Sequence, residues 1–493
     1  MSEAAQQRGF LDVVIVGAGI VGCALARELS RYRLGVAVCE QAAEAGQGGA
    51  TKANTGIVHA GYDPAPGTLM ARMNVRGNAL YPTLCQDLGV RLDRSGTLVL
   101  ALSQEDRPYL AALLARGQAN AVPGLRIVGH DELMNLEPNV NSDADSALFA
   151  PTGGTVEPYE VALALAENAV QNGVQFLFDC TVSQLEPVDD GWCVHAGAQK
   201  LRTRFVVNAA GLSAAKVSQA AAPGRCFHMH PRLGQYVLLE DRPEYDIRHP
   251  IFQVPGPMGK GVVVSRTPDG NIIAGPTAED ADSDRDLATT GAGLMSVLAQ
   301  ARRSVPALDE RQAITEFCGA RAIVDERDDF LIEESAPHFF NAAGIKSPGL
   351  TAAPAIAEEL VGLMANSGLE LVANPSFVGT NEPAILFRDC SADEQRRMIH
   401  EDQTFGRIVC RCETVTEGDV IRAIHRPVGA RTVDGIKFRT RAGMGRCQGG
   451  FCGPPVLELR SRALNVAPLT ISKCGPGSEI LAMRLRPEGD SCA

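Results

Sequence analysis

Residues 11–30 read LDVVIVGAGIVGCALARELS, and their order decides the fold. A β-branched run, Leu11 to Val16, passes at once into Gly17-Ala18-Gly19-Ile20-Val21-Gly22 and then into a helical stretch. Gly17 lets the chain turn sharply, Gly19 lets backbone N–H groups approach a pyrophosphate, and Gly22 lets helix and strand pack closely. The helix N-terminus sets positive dipole against the phosphates. A second strand, GVAVCE, ends at Glu40, 18 residues after Gly22, where a carboxylate can accept hydrogen bonds from ribose hydroxyls. Strand, glycine turn, helix, strand and acidic terminus in register predict an α/β, Rossmann-type dinucleotide-binding domain. The turn alone does not separate nicotinamide from flavin dinucleotides, because both present the same ADP half.

Around this unit, 493 residues allow about three domains at roughly 100–200 residues each. Forty-five per cent apolar and 21% charged residues exclude a disordered or collagen-like chain. A net charge of −12 argues against a nucleic-acid partner. The N-terminus has neither a cationic region nor an apolar one, and no window reaches 18 apolar residues, so the expectation is a soluble, cytoplasmic protein without a transmembrane segment. Peripheral association with a membrane would then run through a partner. Four of the fourteen cysteines fall in two tight pairs, and the other ten are expected to be buried small apolar residues.

Residues 48–61 read GGATKANTGIVHAG, where alternating strands and helices would continue in a nicotinamide enzyme. Here the chain resembles the flavin-contact segment of the D-amino-acid-oxidase/glycerol-3-phosphate-dehydrogenase superfamily. In that superfamily a Ser/Thr-x-x-Asn-Ser/Thr-Gly stretch runs under the isoalloxazine of FAD, and Thr51, Asn54, Thr55 and Gly56 match it. Two more segments agree. RFVVNAAG, ending at Gly211, is a strand and small-residue turn that the resemblance places beside the dinucleotide. FFNAAGIKSPGLT, with Gly344, Gly349, Leu350 and Thr351, is another, and the helix after it would aim its N-terminus at the flavin pyrimidine.

Between those segments GQYVLLE, GVVVSR and NIIAGPT, separated by turn clusters, predict an antiparallel sheet carrying the substrate face. Arg321 stands where many related flavoenzymes hold the substrate's carboxylate or phosphate, a task suited to a planar, permanently charged fork. A salt bridge to Asp325, Glu326, Asp328 or Asp329 is the alternative. Lys346 in GIKSPG is a second candidate cation, or a solvated turn lysine. His59 is the candidate base for a hydroxyl proton, or a structural histidine. The resemblance covers about residues 10 to 365 and lies with the glycerol-3-phosphate dehydrogenase and L-2-hydroxyglutarate oxidase branch.

Beyond a linker-like region, Cys410-Arg-Cys412 and Cys447-x4-Cys452 form a four-thiolate set. Zinc ribbons favour two to four residues within each pair, which the first pair violates. GRCQGGFC resembles the bacterioferritin-associated-ferredoxin-like domain, which implies a [2Fe–2S] cluster; zinc and an unligated set of thiols are the alternatives. Residues 405–462 carry 11 Lys+Arg against 5 Asp+Glu, suiting either an acidic electron acceptor or the chain's own acidic body.

The expected fold class is therefore α/β, a Rossmann-type FAD-binding domain with an inserted antiparallel β-rich substrate domain and a small C-terminal iron–sulfur helical domain. The expected limits are 10–95 for the FAD domain, discontinuous with 150–222 and 324–370, and 223–323 for the substrate domain with a contribution from 96–149. A linker at 371–404, a [2Fe–2S] domain at 405–462 and a tail at 463–493 complete the chain. The resemblance implies an FAD-dependent dehydrogenase acting on the secondary alcohol of a small anionic substrate, foremost sn-glycerol 3-phosphate to dihydroxyacetone phosphate. Electrons would leave through the cluster to an acceptor protein or additional subunits. L-2-hydroxyglutarate oxidation, C–N oxidation of an imino acid or opine, and a non-catalytic redox module are the alternatives.

Overall fold

The computed structural model describes residues 10–255, 261–283 and 286–483. Its first sheet is built on strand Phe10–Val16, which lies parallel between strand Gln199–Asn208 (Val14 beside Val206) and strand Val36–Cys39 (Val13 beside Val36). Val13, Val14 and Ile15 are fully buried, as a parallel strand covered on both faces requires. Strand Gln175–Leu177 extends one edge, and Phe339–Ala343 with Leu331–Ala336 extends the other. The hairpin Val182–Val188 and Gly191–Ala196 pairs with the first half of strand Gln199–Asn208. The chain thus leaves this eight-stranded sheet after residue 208 and returns at 331.

Helices Ile20–Leu29, Leu69–Leu88, Pro158–Gln171 and Gly349–Asn366 pack with one another against this sheet in the largest apolar cluster. Helices 69–88 and 349–366 meet at Gly77, where a Cβ would stand 2.0 Å from the Thr351 carbonyl oxygen, so only glycine admits that approach.

A nine-stranded sheet forms the second layer. Its spine is a long antiparallel ribbon, Met229–Leu239 against Ala313–Val324, with Arg232 opposite Arg321. Strands Ile272–Gly275, Val263–Arg266 and Ile251–Gln253 follow, strand Glu279–Asp280 pairs with the start of the ribbon, and strands Thr97–Ala101, Ser146–Ala150 and Arg126–Gly129 complete it from earlier in the chain. Helix Gly291–Ser304 covers this sheet through Val297, Leu298 and Ala301.

The cysteine-bearing unit is a strand pair, Ile408–Cys410 and Val415–Thr416, with helices Glu417–His425, Val433–Thr440 and Gly453–Leu464 around a small core of its own. Thr416 and Asp419 form a reciprocal capping box at the first of these helices. The segment that composition marks as a linker is a strap laid on the helices of the first sheet. Arg33 N–H donates to the Val372 carbonyl, Val378 N–H to the Asn172 side chain, and the Asn381 amide to the Ala164 carbonyl, each at 2.8 Å. Helix Ala392–Glu401 follows it. The expected tail begins by pairing with the cysteine unit, Val433 and Asp434 N–H donating to the Ser472 and Lys473 carbonyls; residues 484–493 lie outside the described ones. Among the described residues no helix is long and apolar enough to cross a membrane.

Candidate functional site

Gly17 takes φ +104°, and a Cβ there would meet the Ala209 carbonyl oxygen at 2.6 Å; at Gly22 it would lie 1.9 Å from the Gly17 carbonyl oxygen. Sheet, turn and helix therefore close on each other with no room for side chains. Gly19 caps helix Ile20–Leu29 without a side chain, which leaves the helix N-terminus facing the cleft. Two side chains organise this end. Thr51 Oγ1 accepts from Ile20 N–H at 3.0 Å, and the Glu40 carboxylate accepts from Ala18 N–H at 2.6 Å and Ala42 N–H at 2.7 Å. Burial pushes the Glu40 carboxyl above its ordinary pKa while those backbone donors pull it back. Glu40 thus ties the turn as well as lining the cleft, and Thr51 lines the cleft at the N-terminus of helix Ile20–Leu29.

From this turn runs a cleft of about 1200 Å³. Its walls are formed by Ser183, Gln184, Gly211 and Lys216, by the loop 48–59, and by Arg321, Phe252 and helix 291–304. At Gly49 and Gly211 a Cβ would meet nothing within 4 Å, so the wall is bare backbone where an elongated ligand would lie. A glycine turn at a helix N-terminus, an acidic strand end and an elongated bare-backbone cleft fit a dinucleotide cofactor.

Asn54 folds the middle loop. Its amide donates to the Ala50 and Thr51 carbonyls, both at 2.9 Å, and its oxygen accepts from Gly56 N–H at 2.8 Å. Gly56, at φ +68°, presses on the Val156 carbonyl, and Thr55 lines the cleft. His59 is pinned by its backbone: its N–H donates to Thr351 Oγ1 at 2.9 Å, and its carbonyl accepts from the Asn74 and Asn78 amides. Its ring lies 5.8 Å from Phe252, with Nε2 3.2 Å from Ser347 Oγ. Ser347 is a functional candidate that sequence reasoning missed. It stands in the quoted turn, but the residue that gives it meaning is 288 positions away. Gly349 and Leu350 open helix Gly349–Asn366 at the cleft, after a turn in which Gly344 takes φ +64°.

The Arg321 guanidinium is held by three backbone carbonyls, Thr277 at 2.7 Å, Leu233 at 3.2 Å and Arg232 at 3.4 Å. The four acids named as its alternative partners are engaged elsewhere: Asp325 with His230, Glu326 with His228, Asp328 with Lys346, and Asp329 on the Leu69 and Met70 N–H groups. Carbonyls orient the fork without neutralising it. Burial lowers its pKa from a very high ordinary value, so the group stays charged at the cleft wall. Lys346 also lines the cleft, but its ammonium pairs with Asp328 and its side chain is only 18% exposed, so it is not a solvated turn lysine.

In the cysteine unit the sulfurs of Cys412 and Cys447 lie 3.8 Å apart and exposed, while Cys410 and Cys452 face each other in the interior. Burial, then the Cys410 thiol, push Cys452 up to about 12; backbone donation, led by Phe451 N–H, pulls Cys447 below its ordinary value. No three of the four sulfurs lie within 4.8 Å of one another. Four sulfurs at 2.3 Å from a single tetrahedral zinc would all stand about 3.8 Å apart. Four thiolates gathered as two pairs fit the donor set of a two-iron cluster, which Cys410, Cys412, Cys447 and Cys452 would hold. The expectation for the other ten cysteines is corrected in part. Cys23, Cys39, Cys85, Cys180 and Cys318 are buried, but Cys193 and Cys390 are half-buried, Cys226 and Cys474 are exposed, and Cys492 lies outside the described residues. The exposed two stand in turns, where no apolar layer covers them.

Four of the eleven basic residues of this unit pair with acids of the chain's own body: Arg426 with Glu167, Arg439 with Glu44, Arg441 with Asp269, and Arg446 with Glu240. Beside the exposed sulfurs, Arg411 stacks on Phe451 at 4.7 Å.

Residues 12–363 match the family described as FAD dependent oxidoreductase, and residues 408–459 match the BFD-like [2Fe-2S] binding domain. A glycerol 3-phosphate dehydrogenase of Caloramator mitchellensis is 43% identical over 472 residues, 95% of this chain and 98% of its own length. The L-2-hydroxyglutarate dehydrogenase of human mitochondria is 31% identical over 285 residues, 54% of this chain and 60% of its own. The dithionite-reduced L-alpha-glycerophosphate oxidase of Mycoplasma pneumoniae, solved with FAD bound, superposes with a TM-score of 0.71 at 33% identity, covering 76% of this chain and 98% of that one.

Proposed function

We propose that this chain, which belongs to the FAD dependent oxidoreductase family and carries a BFD-like [2Fe-2S] binding domain, oxidises sn-glycerol 3-phosphate to dihydroxyacetone phosphate and passes the electrons on through its cysteine unit. FAD supplies a two-electron acceptor for the substrate's hydride, and the cluster supplies a one-electron carrier. The residues do the rest. Gly17, Gly19 and Gly22 give the phosphates their backbone cradle, and Glu40 stands at the ribose. The Arg321 fork, aimed by three carbonyls, grips the substrate phosphate and fixes which C–H faces the flavin. His59, oriented through Ser347 and pinned by Thr351, takes the hydroxyl proton as the C–H bond breaks. Lys346, paired with Asp328, adds positive charge at the same wall.

The observation that carries the reading is Arg321, a charged fork on a cleft wall that makes no salt bridge among the described residues. The dehydrogenase relative supports glycerol 3-phosphate over L-2-hydroxyglutarate, because that likeness spans nearly the whole chain. The oxidase's whole length, by contrast, is used up by about three quarters of this one. We infer that the remainder replaces oxygen with a protein acceptor.

Anaerobic titration with glycerol 3-phosphate is expected to bleach the flavin band, and 2-hydroxyglutarate, proline and sarcosine are expected not to. Bleaching by 2-hydroxyglutarate alone would move the assignment to that acid. Cys447→Ser is expected to keep the bleaching and lose acceptor turnover, with iron rather than zinc in the parent.

A further inference from the structure

Between the flavin-contact loop and the cysteine cage the chain contains an unbroken line of contacts. Gly56 accepts from Val156 N–H at 2.8 Å, and its Cβ position lies 3.4 Å from Pro158. Tyr159 follows directly. Its ring packs on Phe438 with centroids 4.8 Å apart, and its hydroxyl reaches Met444 Sδ at 3.9 Å. Met444 precedes Gly445, whose Cβ position would be 2.3 Å from the Cβ of Cys412. The Gln448 amide donates to the Met444 and Gly445 carbonyls, which holds that turn against the cage.

Neither Tyr159 nor Met444 lines the substrate cleft. Both stand at the seam where helix Val433–Thr440 rests on helix Pro158–Gln171. The seam is fixed on either side, by Glu44 with Arg439 and by Asp269 with Arg441. Burial holds the Tyr159 hydroxyl protonated, and its single proton lies between Met444 Sδ and the Glu157 carboxyl. A thioether is soft and polarisable and sits well against an aromatic side chain.

We propose that Tyr159 and Met444 are the bridge by which electrons cross from the flavin-contact loop to the Cys412 and Cys447 side of the cysteine cage. Tunnelling decays less steeply through packed atoms than across a gap, and along this line the backbones of Gly56 and Gly445 lie close against Pro158 and Cys412. The bridge residues keep their protons and their oxidation states. The two electrons left on the flavin would cross one at a time, the cluster handing the first to its acceptor before taking the second, while the flavin's protons leave to solvent. The proposal rests on the reading that the cluster is the electron exit, but not on the identity of the substrate.

The test uses the holoenzyme under argon, with a deazaflavin flash to reduce the flavin and the flavin and cluster absorbances followed separately. Met444→Ala and Tyr159→Leu open the line and are expected to slow cluster reduction several-fold, with flavin content, iron content and the rate of bleaching by glycerol 3-phosphate unchanged. Met444→Leu refills the space and is expected to recover most of the rate. Parent-like cluster reduction in both opening variants would overturn the proposal, as would loss of flavin or iron from both, which would make the pair structural. If one variant alone loses a cofactor, the other decides. A flavin that glycerol 3-phosphate fails to bleach would refute the substrate reading, while the flash still decides the bridge.

Discussion

The hydroxyl of Tyr81 donates to the backbone carbonyl of Leu350 at 2.7 Å, and that carbonyl is the one Pro354 leaves unbonded. In helix Gly349–Asn366 the N–H of residue 354 would normally bond to residue 350, and proline has none. A fully buried tyrosine from helix Leu69–Leu88 completes the ladder from outside, at the residue where the helix meets the cleft. Tyr81→Phe keeps the packing and strands the carbonyl. It is expected to lower stability by about 1–3 kcal/mol in denaturant unfolding. Flavin retention on gel filtration should fall with it, and parent-like values of both would show that the carbonyl finds another donor.

The two glycines that face phosphate and sheet fail differently. A Cβ at Gly22 meets rigid backbone at 1.9 Å, whereas at Gly19 it meets the movable Thr51 hydroxyl at 3.2 Å. Gly22→Ala is therefore expected to abolish flavin content and soluble yield together. Gly19→Ala should fold, and Gly19→Val should fold while losing flavin. Flavin absorbance per polypeptide separates the three, and full flavin in Gly19→Val would remove the phosphates from this turn.

What could be read from the sequence follows from how local each signal is. The turn at 17–22 and Glu40 belong to one strand-helix-strand unit, so spacing alone placed them. Asn54 and Thr351 were also placed, but as ligand contacts; in the structure Asn54 folds its own loop and the Thr351 hydroxyl holds the His59 backbone. Ser347, Tyr81 and Glu44 left no signal, because each acts on a residue hundreds of positions away. The charge count of the cysteine unit was legible, but whether those arginines face a partner or the chain itself needed the fold.

Arg321 is set by its carbonyl partners before any substrate arrives, so removing it strands those three carbonyls and is expected to lower stability, as Tyr81→Phe does, without emptying the flavin site. Arg321→Ala is expected to leave flavin content unchanged and cost roughly 3 kcal/mol in kcat/KM, the scale of hydrogen bonds to a charged group. Arg321→Lys should recover part of this, since the charge returns without the fork. Steady-state kinetics with glycerol 3-phosphate decide it, and parent-like kcat/KM in Arg321→Ala would place the anion elsewhere.

Glu157 and Glu160 stand at the junction of the three units, and burial, then the charge of Asp269, push them up to about 8 and about 7 from an ordinary 4.5. Arg441 pulls Glu157 the other way, and Arg426 does so for Glu160. The unfolded chain loses these protons first, so between pH 4.5 and about 8 the folded state holds more protons and stability falls as pH rises. Thermal unfolding is expected to show that slope. Glu160→Gln should flatten its share between pH 4.5 and 7 and raise Tm at pH 8, and an unchanged slope would mean that water reaches the pair.

Glu44 anchors the cysteine unit from the flavin side. One oxygen accepts from Arg431 N–H, Thr432 N–H and Thr432 Oγ1, at the N-terminus of helix Val433–Thr440; the other accepts from Arg439 at 2.5 Å. Gly435 is required beneath it, since a Cβ there would fall 1.8 Å from the carboxylate. Both charged side chains are almost fully buried, at 0% and 4% exposure. Glu44→Ala strips a helix terminus of its anion and leaves a buried arginine unpaired, a loss of about 3–5 kcal/mol. Hydrogen exchange over residues 428–440 should rise, and flavin-to-cluster transfer should slow while substrate still bleaches the flavin. Because the pair is buried, 1 M salt should not reproduce this, whereas the half-exposed pair of Arg446 with Glu240 should yield to it. Unchanged exchange in Glu44→Ala would show that the remaining arginine pairs dock the unit without it.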